Sequence, residues 1–189
     1  MATGTEVEFK TLLTKDEYNK LIEKFKNCKS DVQTNHYFDT NRFSLKATDT
    51  SLRVRERDSL ELTLKKKKGY TVQLFTQQIT REQFNELKET GILPEGELAA
   101  ETATILGTQK VNNFMSLSTH RIFLPYKNGV LFIDKSSYLG LVDFELQYEA
   151  KNYHCGKQEF IAIIGELGIQ YKKSEKKIKR AYNALRRML

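Results

Sequence analysis

The chain has 189 residues, 39% of them hydrophobic and 29% charged, which suits one domain with a sizeable core and leaves no low-complexity tract. No segment approaches the roughly 18 apolar residues of a membrane span, no basic-then-apolar leader opens the chain, and Cys28 and Cys155 fit neither a disulfide framework nor a metal-ligand spacing, so a cytoplasmic protein away from membranes is expected. Lys and Arg number 31 against 24 Asp and Glu, a net charge of +7 that points to anionic partners such as nucleic acid, anionic lipid or small polyphosphates.

Glu6-Val7-Glu8-Phe9-Lys10 alternates, which in a strand puts Glu6, Glu8 and Lys10 on one face and Val7 and Phe9 on the other. Two carboxylates roughly 6 to 7 Å apart along a strand can hold a hard divalent cation, and the lysine beside them an anion. Thr14-Lys15-Asp16-Glu17 reads as a capping box opening a helix with Tyr18, Leu21, Ile22 and Phe25 at helical spacing and an end near Lys29. A short strand over 36–40 runs into a turn and a polar loop over 41–50. Alternation returns over 52–57, where Arg53, Arg55 and Arg57 share a face, and over 60–67, where Glu61, Thr63, Lys65 and Lys67 do, each set with leucine or valine opposite. A strand over 70–78 precedes a second capping box, Thr80-Arg81-Glu82-Gln83, and a helix with Phe84 and Leu87 inward. The stretch 91–116 contains Pro94 and Gly96 and reads as a loop plus a short helix over 101–114. Strands over 118–126 and 129–135 flank Lys127-Asn128-Gly129, a strong hairpin signal, and a strand over 142–150 follows. Helices over 157–167 and 174–188 close the chain.

Seven or eight strands joined by turns or single helices favour a single α+β domain over 1–189, an antiparallel sheet with helices outside it. The polar strand faces carry ordered charge: Glu6, Glu8, Lys10, Arg53, Arg55, Arg57, Glu61, Lys65, Lys67, Arg121, Glu145, Gln147 and Glu149 take alternating positions in different strands. If the apolar faces meet the helices, the charged faces point inward across a closed or nearly closed β-barrel. Unpaired charges in such an interior cost several kcal/mol each, and a polyanion with its metal ions would compensate them. Arginine forks and lysine point charges beside Glu6, Glu8 and Glu145 describe a site for a metal-bound triphosphate.

These segments resemble the CYTH domain of the triphosphate tunnel metalloenzymes. The similarity runs in order through Glu6-x-Glu8-x-Lys10, Tyr37-Phe38-Asp39-Thr40, Leu52-Arg53-Val54-Arg55, Leu62-Thr63-Leu64-Lys65, Arg121, Asp134 with Tyr138-Leu139-Gly140 behind it, Phe144-Glu145-Leu146, and Lys177. The resemblance implies an eight-stranded antiparallel closed barrel that binds triphosphate compounds with Mg2+ or Mn2+. It also implies hydrolysis of inorganic triphosphate or thiamine triphosphate, or the cyclisation of ATP performed by class IV adenylate cyclases. By position, Glu6, Glu8 and Glu145 look like metal ligands, with Lys10 beside them in the catalytic set. Lys10, Arg53, Arg55, Lys65, Lys67, Arg121 and Lys177 look like phosphate contacts, and Asp134, Glu61 and Glu149 like supporting acids. Two departures stand out. Gln147 replaces the second carboxylate of the family's Glu-x-Glu, with Glu149 two residues further along the same face, and Gln73, Gln77 and Gln78 stand where the fifth strand tends to carry a glutamate. A neutral amide binds a hard cation more weakly than a carboxylate, so the number of working metals, one or two, turns on Gln147.

The expected activity is therefore metal-dependent hydrolysis of a triphosphate, inorganic triphosphate first, with the cyclase as the alternative enzyme and a polyphosphate- or nucleotide-binding protein as the non-catalytic one. An RNA-binding module would show aromatics among surface lysines along an open groove, whereas these arginines converge on one enclosed site. His36, His120 and His154 lack ligand spacing and read as surface or structural residues. Lys66 and Lys68 read as a solvated strand end, and the basic residues of the last helix other than Lys177 as a solvated face. Phe25, Phe84 and Phe160 read as core.

Overall fold

The structure, a computed structural model, describes residues 7–68 and 71–188; Glu6 and Tyr70, which open two of the expected strands, lie outside them. The elements in chain order are β1(Val7–Leu13), α1(Lys15–Lys24), β2(Lys29–Asp39), α2(Ser44–Ala47), β3(Thr50–Glu56), β4(Leu60–Lys68), β5(Thr71–Ile79), α3(Arg81–Thr90), α4(Glu97–Leu106), β6(Asn112–Tyr126), β7(Gly129–Tyr138), β8(Leu141–Ala150), α5(Tyr153–Glu166) and α6(Lys177–Met188). No helix among the described residues is long and apolar enough to cross a membrane.

Local chemistry explains most boundaries. Both expected capping boxes form: Thr14 and Thr80 accept from the backbone N–H of Glu17 and Gln83, whose side chains reach back to the cap nitrogens. Helix α1 stops at Phe25 rather than near Lys29, and α3 stops at Gly91, whose φ of 70° is the left-handed conformation that closes helices. Leu139 and Gly140, with φ of 47° and 74°, make the two-residue β7–β8 turn, whose twist matches the flanking strands. The strand expected over 36–40 extends back to Lys29. The helix expected over 101–114 lies earlier, at Glu97–Leu106, and Asn112 onward is already β6. Helix α5 begins at Tyr153, not 157, because Asn152 Oδ1 accepts from the backbone of His154 and Cys155.

The strands form one eight-stranded sheet in the order β1-β8-β7-β6-β2-β3-β4-β5. That order has two ends, so the expected closed barrel is corrected to an eight-stranded antiparallel sheet with helices on its apolar side. The outer edge of β1 is instead occupied by the segment before α6. Leu12 N donates to Lys172 O at 3.1 Å, Lys172 N donates to Thr11 Oγ1 at 2.8 Å, and Thr11 bridges Lys173. That pairing covers the β1 edge at Thr11 and Leu12, where another strand would otherwise add.

The chain gathers into two compact units, one of residues up to 32 with those from 119 onward, the other Gln33–Ser118. In the first, Tyr18 and Leu21 of α1, its capping residue Phe25, and Phe160 and Ile163 of α5 cover Leu13, Ile122, Leu131, Ile133, Leu146 and Tyr148 of the strands. Gly156 lets α5 settle closely: a Cβ there would lie 2.5 Å from Ala150 Cβ and 2.8 Å from the Phe9 ring. In the second, Leu45, Phe84, Leu87, Leu98 and Leu106 of α2, α3 and α4 cover Phe38, Leu52, Val54, Leu60, Leu62, Leu64 and Ile79. Both helical layers thus take the leucine and valine faces, and the charged strand faces lie opposite them.

Candidate functional site

In the first unit, β6, β7, β8 and α6 assemble a dense ionic cluster. Asp134 is fully buried, and Arg121 forks onto it through Nε–Oδ1 and Nη2–Oδ2 contacts of 2.7 Å each. Lys177 Nζ bonds Asp134 Oδ2 as well. Burial alone would raise the Asp134 pKa, but Arg121 and Lys177 hold it below the ordinary carboxylate range. The ladder sets Glu145 opposite Asp134. Glu145 is 1% exposed; its Oε2 accepts from Arg180 Nη1 at 2.7 Å and from Ser174 Oγ, and Lys177 Nζ stands 3.7 Å from Oε1. Arg180 also grips Asp143, at 2.9 and 3.2 Å, and Asp143 accepts the Tyr138 hydroxyl at 2.7 Å. Burial and that hydrogen bond push the Tyr138 phenol up to about 12.

Asp134, Asp143 and Glu145 thus meet Arg121, Lys177 and Arg180, three charges against three. Each carboxylate is bound by side chains of its own unit. Lys177 and Arg180 reach the strands together because residues three apart share a helix face. Arg121 and Lys177, expected at phosphate, therefore both engage Asp134, and Glu145, expected at metal, engages Arg180. From sequence alone Arg180 belongs with the solvated basic residues, and Asp143 and Ser174, taken singly, carry no signal of a role. The available signal was the Lys177–Arg180 spacing, matched by acids at 143 and 145 on one strand face.

The β1–β8 register sets Glu8 opposite Glu149, Lys10 opposite Gln147 and Leu12 opposite Glu145. Lys10 Nζ donates to Glu8 Oε1 at 2.8 Å. Gln147 links the strands' polar row, donating to Glu149 Oε1 at 3.2 Å while its carbonyl accepts from Arg121 Nη2 at 3.3 Å. The structure therefore brings Glu8, Lys10 and Glu149 together. It does not bring Glu145 to Glu8, since four residues of β8 separate Glu145 from the position facing Glu8, about 13 Å along the strand. Glu6 lies outside the described residues. Among the described residues no group of three or more His, Cys, Asp or Glu side chains is arranged to hold a metal ion. A pair of oxygen donors still suits a hard cation that takes one or two carboxylates and completes its shell with water and phosphate oxygens, and facing residues on a ladder have Cβ atoms about 4.5 to 5.5 Å apart.

The second unit carries the other expected cations. Tyr37, Arg53 and Thr63 are successive neighbours across β2, β3 and β4, as are Asn35, Arg55 and Glu61. Lys65 and Lys67 follow on the same β4 face and are exposed. Glu61 is the lone acid of the set, 4.0 Å from Arg55 Nη1, so this face is strongly positive. The Arg53 Nε donor is buried with no hydrogen-bond partner among the described residues, an orphan of the kind an anion's oxygen satisfies. Burial pushes the Tyr37 phenol up, with Arg53 and Arg55 pulling the other way. Asp39 accepts backbone N–H groups from Thr40, Leu45 and Lys46 at 2.8 to 3.0 Å, so the Tyr37-Phe38-Asp39-Thr40 stretch shapes the α2 turn. Lys66 is half-buried beside Glu101 of α4 at 3.4 Å, not solvated as expected. His36 bonds Ser116 and Glu56, while His120 and His154 are exposed.

Comparison with known proteins places this geometry. The family model described as "CYTH domain" matches residues 4–182. A Bacillus subtilis (strain 168) protein described as "Putative triphosphatase YjbK" is 30% identical over 194 residues, spanning 100% of both chains. Among solved structures, a "putative adenylate cyclase" from Bacillus halodurans superposes with a TM-score of 0.78 at 29% identity, over 93% of this chain and 96% of that one. The Hippeastrum "Putative adenylyl cyclase HpAC1", described as having a dominant triphosphatase activity, gives 0.76 at 18% identity over 95% and 96%, a likeness of fold. With a family match from residue 4 to residue 182 and a full-length relative at this identity, the chain belongs to the CYTH domain family.

Proposed function

We propose that this protein is a divalent-metal-dependent triphosphatase, acting on inorganic triphosphate first and on nucleoside or thiamine triphosphates second, with residues 1–189 working as one domain. Family membership and a full-length relative described as a triphosphatase support an enzyme acting on a triphosphate compound. The observation that carries the reading is the β3–β4 face: Arg53, Arg55, Lys65 and Lys67 against the single acid Glu61, with a buried Arg53 donor lacking a hydrogen-bond partner among the described residues. A face so charged asks for a polyanion.

Carboxylates of β1 and β8 would hold Mg2+ or Mn2+, with Glu8 as the β1 member and Glu6 beside it in sequence. Bound there, the cation would neutralise non-bridging phosphate oxygens and lower the repulsion facing an incoming nucleophile. Arg53 and Arg55 would fork onto phosphate oxygens, and Lys65 and Lys67 would add point charge. Glu61 would orient the attacking water. Attack of that water at the terminal phosphorus would form one P–O bond as one P–O–P anhydride bond breaks, the water's proton passing to the departing phosphate oxygen or to solvent, and Arg53, Arg55, Lys65 and Lys67 would take up the charge that develops on that oxygen.

The test is release of orthophosphate from inorganic triphosphate, ATP and thiamine triphosphate with Mg2+ or Mn2+, in the wild type and in Glu8→Gln. Metal-dependent release that falls at least about tenfold in Glu8→Gln is expected. Tight binding without turnover of any of the three would sink the hydrolase and leave a binding protein. Cyclic AMP formed from ATP would replace it with the cyclase.

A further inference from the structure

We infer that Asn35 of β2 is a positioning residue for the attacking water, its Oδ1 accepting one O–H of that water while Glu61 accepts the other; this rests on the triphosphatase reading above. Three observations carry it. The first is an orphan: Asn35 is 5% exposed, and its Oδ1 is buried with no hydrogen-bond partner among the described residues. Such an acceptor weakens a fold, and native structures keep few of them. The second is place. The ladders set Asn35 beside Arg55 and Arg55 beside Glu61, so Asn35 shares the charged face on which the Arg53 Nε donor also lacks a partner among the described residues. The third is sign. Arginine and lysine side chains carry donors only, which suit the acceptor oxygens of a triphosphate. An amide oxygen on that face is not satisfied by an ionised phosphate; it needs a proton donor, and hydrolysis itself supplies one, the water.

Asn35 and Glu61 end a three-residue row across β2, β3 and β4, two strand spacings or roughly 10 Å apart between alpha carbons. One amide arm, one carboxylate arm and hydrogen bonds of roughly 2.8 Å to a shared water close that span. The Cβ–Cγ torsion of asparagine is soft, so the amide can turn to meet the water. Glu61 is steadied on its own strand, where Thr63 Oγ1 donates to its Oε1 at 3.3 Å. A water that gives both O–H bonds to these acceptors has its lone pairs left for the phosphorus held on Arg53 and Arg55. On attack its oxygen forms the new P–O bond as the P–O–P bond breaks. The proton on the Glu61 side passes to the departing phosphate oxygen or to solvent, and the other stays on the new phosphate hydroxyl, still bonded to Asn35, because a neutral amide takes up no proton. A second carboxylate at position 35 would add negative charge beneath an incoming polyanion; the amide supplies the acceptor without it.

The experiment compares the full-length wild type with Asn35→Leu, Asn35→Asp, Glu61→Gln and the Asn35→Leu, Glu61→Gln double variant. It measures kcat and KM for inorganic triphosphate with Mg2+, calorimetric affinity for a non-hydrolysable imido analogue of triphosphate, and the thermal midpoint of unfolding. Asn35→Leu removes the acceptor at nearly constant volume. Its kcat is expected to fall at least about tenfold, its affinity for the analogue to stay within about threefold, and its midpoint to hold or rise because an unpaired buried acceptor is gone. Asn35→Asp keeps an acceptor and is expected to bring kcat back to within about threefold of wild type with a higher KM. The double variant is expected to be at most about threefold slower than the slower single variant, since one water is released only once. Unchanged kcat in Asn35→Leu, a fall in kcat with a matching fall in midpoint, or loss of analogue affinity beyond about tenfold would overturn the assignment and leave the triphosphatase reading standing on wild-type turnover. Full multiplication of the single effects in the double variant would overturn the shared water. Absence of wild-type turnover of inorganic triphosphate, ATP and thiamine triphosphate alike would overturn both.

Discussion

Removing the negative charge of Asp134 is the sharpest test of the ionic cluster. Asn at this position keeps the shape and one acceptor but turns three cations against three carboxylates into three against two. Breaking a buried pair by losing one partner costs about 3 to 5 kcal/mol, because the partner is left uncompensated. Here the lower end applies. Arg121 and Lys177 side chains retain 20% and 17% exposure, Arg121 keeps the Gln147 carbonyl, and Lys177 keeps Glu145 at 3.7 Å. Asp134→Asn should therefore destabilise by about 3 kcal/mol, read as a fall of roughly 1 to 2 M in the urea midpoint followed by circular dichroism at unchanged slope. Adding Lys177→Met to Asp134→Asn restores two charges against two and should recover at least about 1 kcal/mol relative to additivity. A loss below about 1 kcal/mol for Asp134→Asn, or strict additivity in the double variant, would show that the cluster is solvent-screened and refute the reasoning.

Acid should loosen the link between α1 and the segment before α6. Burial opposes ionisation of Glu17, but the Thr14 and Gln170 backbone N–H groups and Lys172 bring its pKa down from 4.5 to about 2. A lowered native pKa adds stability above the unfolded value and loses it as protons bind, so the Glu17 share should disappear between about pH 4.5 and pH 2. Glu17→Gln should flatten that limb of the stability profile. Gly156→Ala should cost about 1 to 3 kcal/mol by overpacking against Ala150 and Phe9, visible as a lower calorimetric midpoint. An unchanged midpoint would mean that α5 has room to move outward.

Local signals in the sequence carried most of the fold. The capping boxes at Thr14 and Thr80, the alternation of 52–57 and 60–67 and the Asn128-Gly129 turn each depend on residues a few positions apart, and each formed where its pattern lay. Expectation and structure part where the local signal is neutral or misleading. Helix α4 starts after Gly96, which has no side chain to cap it, and Val111, Phe114 and Met115 are spaced so that the start of β6 can pass for helix. Lys29 to Asn35 is a largely polar stretch with no buried residue before Asn35, so only tertiary pairing reveals it as strand. The candidate site divides the same way. Which residues share a face was readable from period-two alternation, but which acid meets Glu8 depends on the β1–β8 register. The binding of Glu145 by Arg180 depends on how a helix some 30 residues on comes to rest, which no spacing within β8 encodes.

The division of the chain into residues 33–118 and the flanking stretches also sets an order of assembly. During synthesis β1 emerges well before β8, yet β8 is its ladder partner, pairing Val7 with Ala150 and Leu13 with Phe144, so β1 waits for most of the described strands before it finds its neighbour. Residues 33–118 hold a core drawn wholly from their own length and can condense while the rest is still being made. The other unit must close a loop across that whole stretch before its helices have a sheet to cover, an entropic delay that local structure cannot shorten. Until then the alternating 7–13 segment is an unpaired strand, and its charged residues Glu8 and Lys10 give it a second use, discouraging strand-to-strand association between nascent chains.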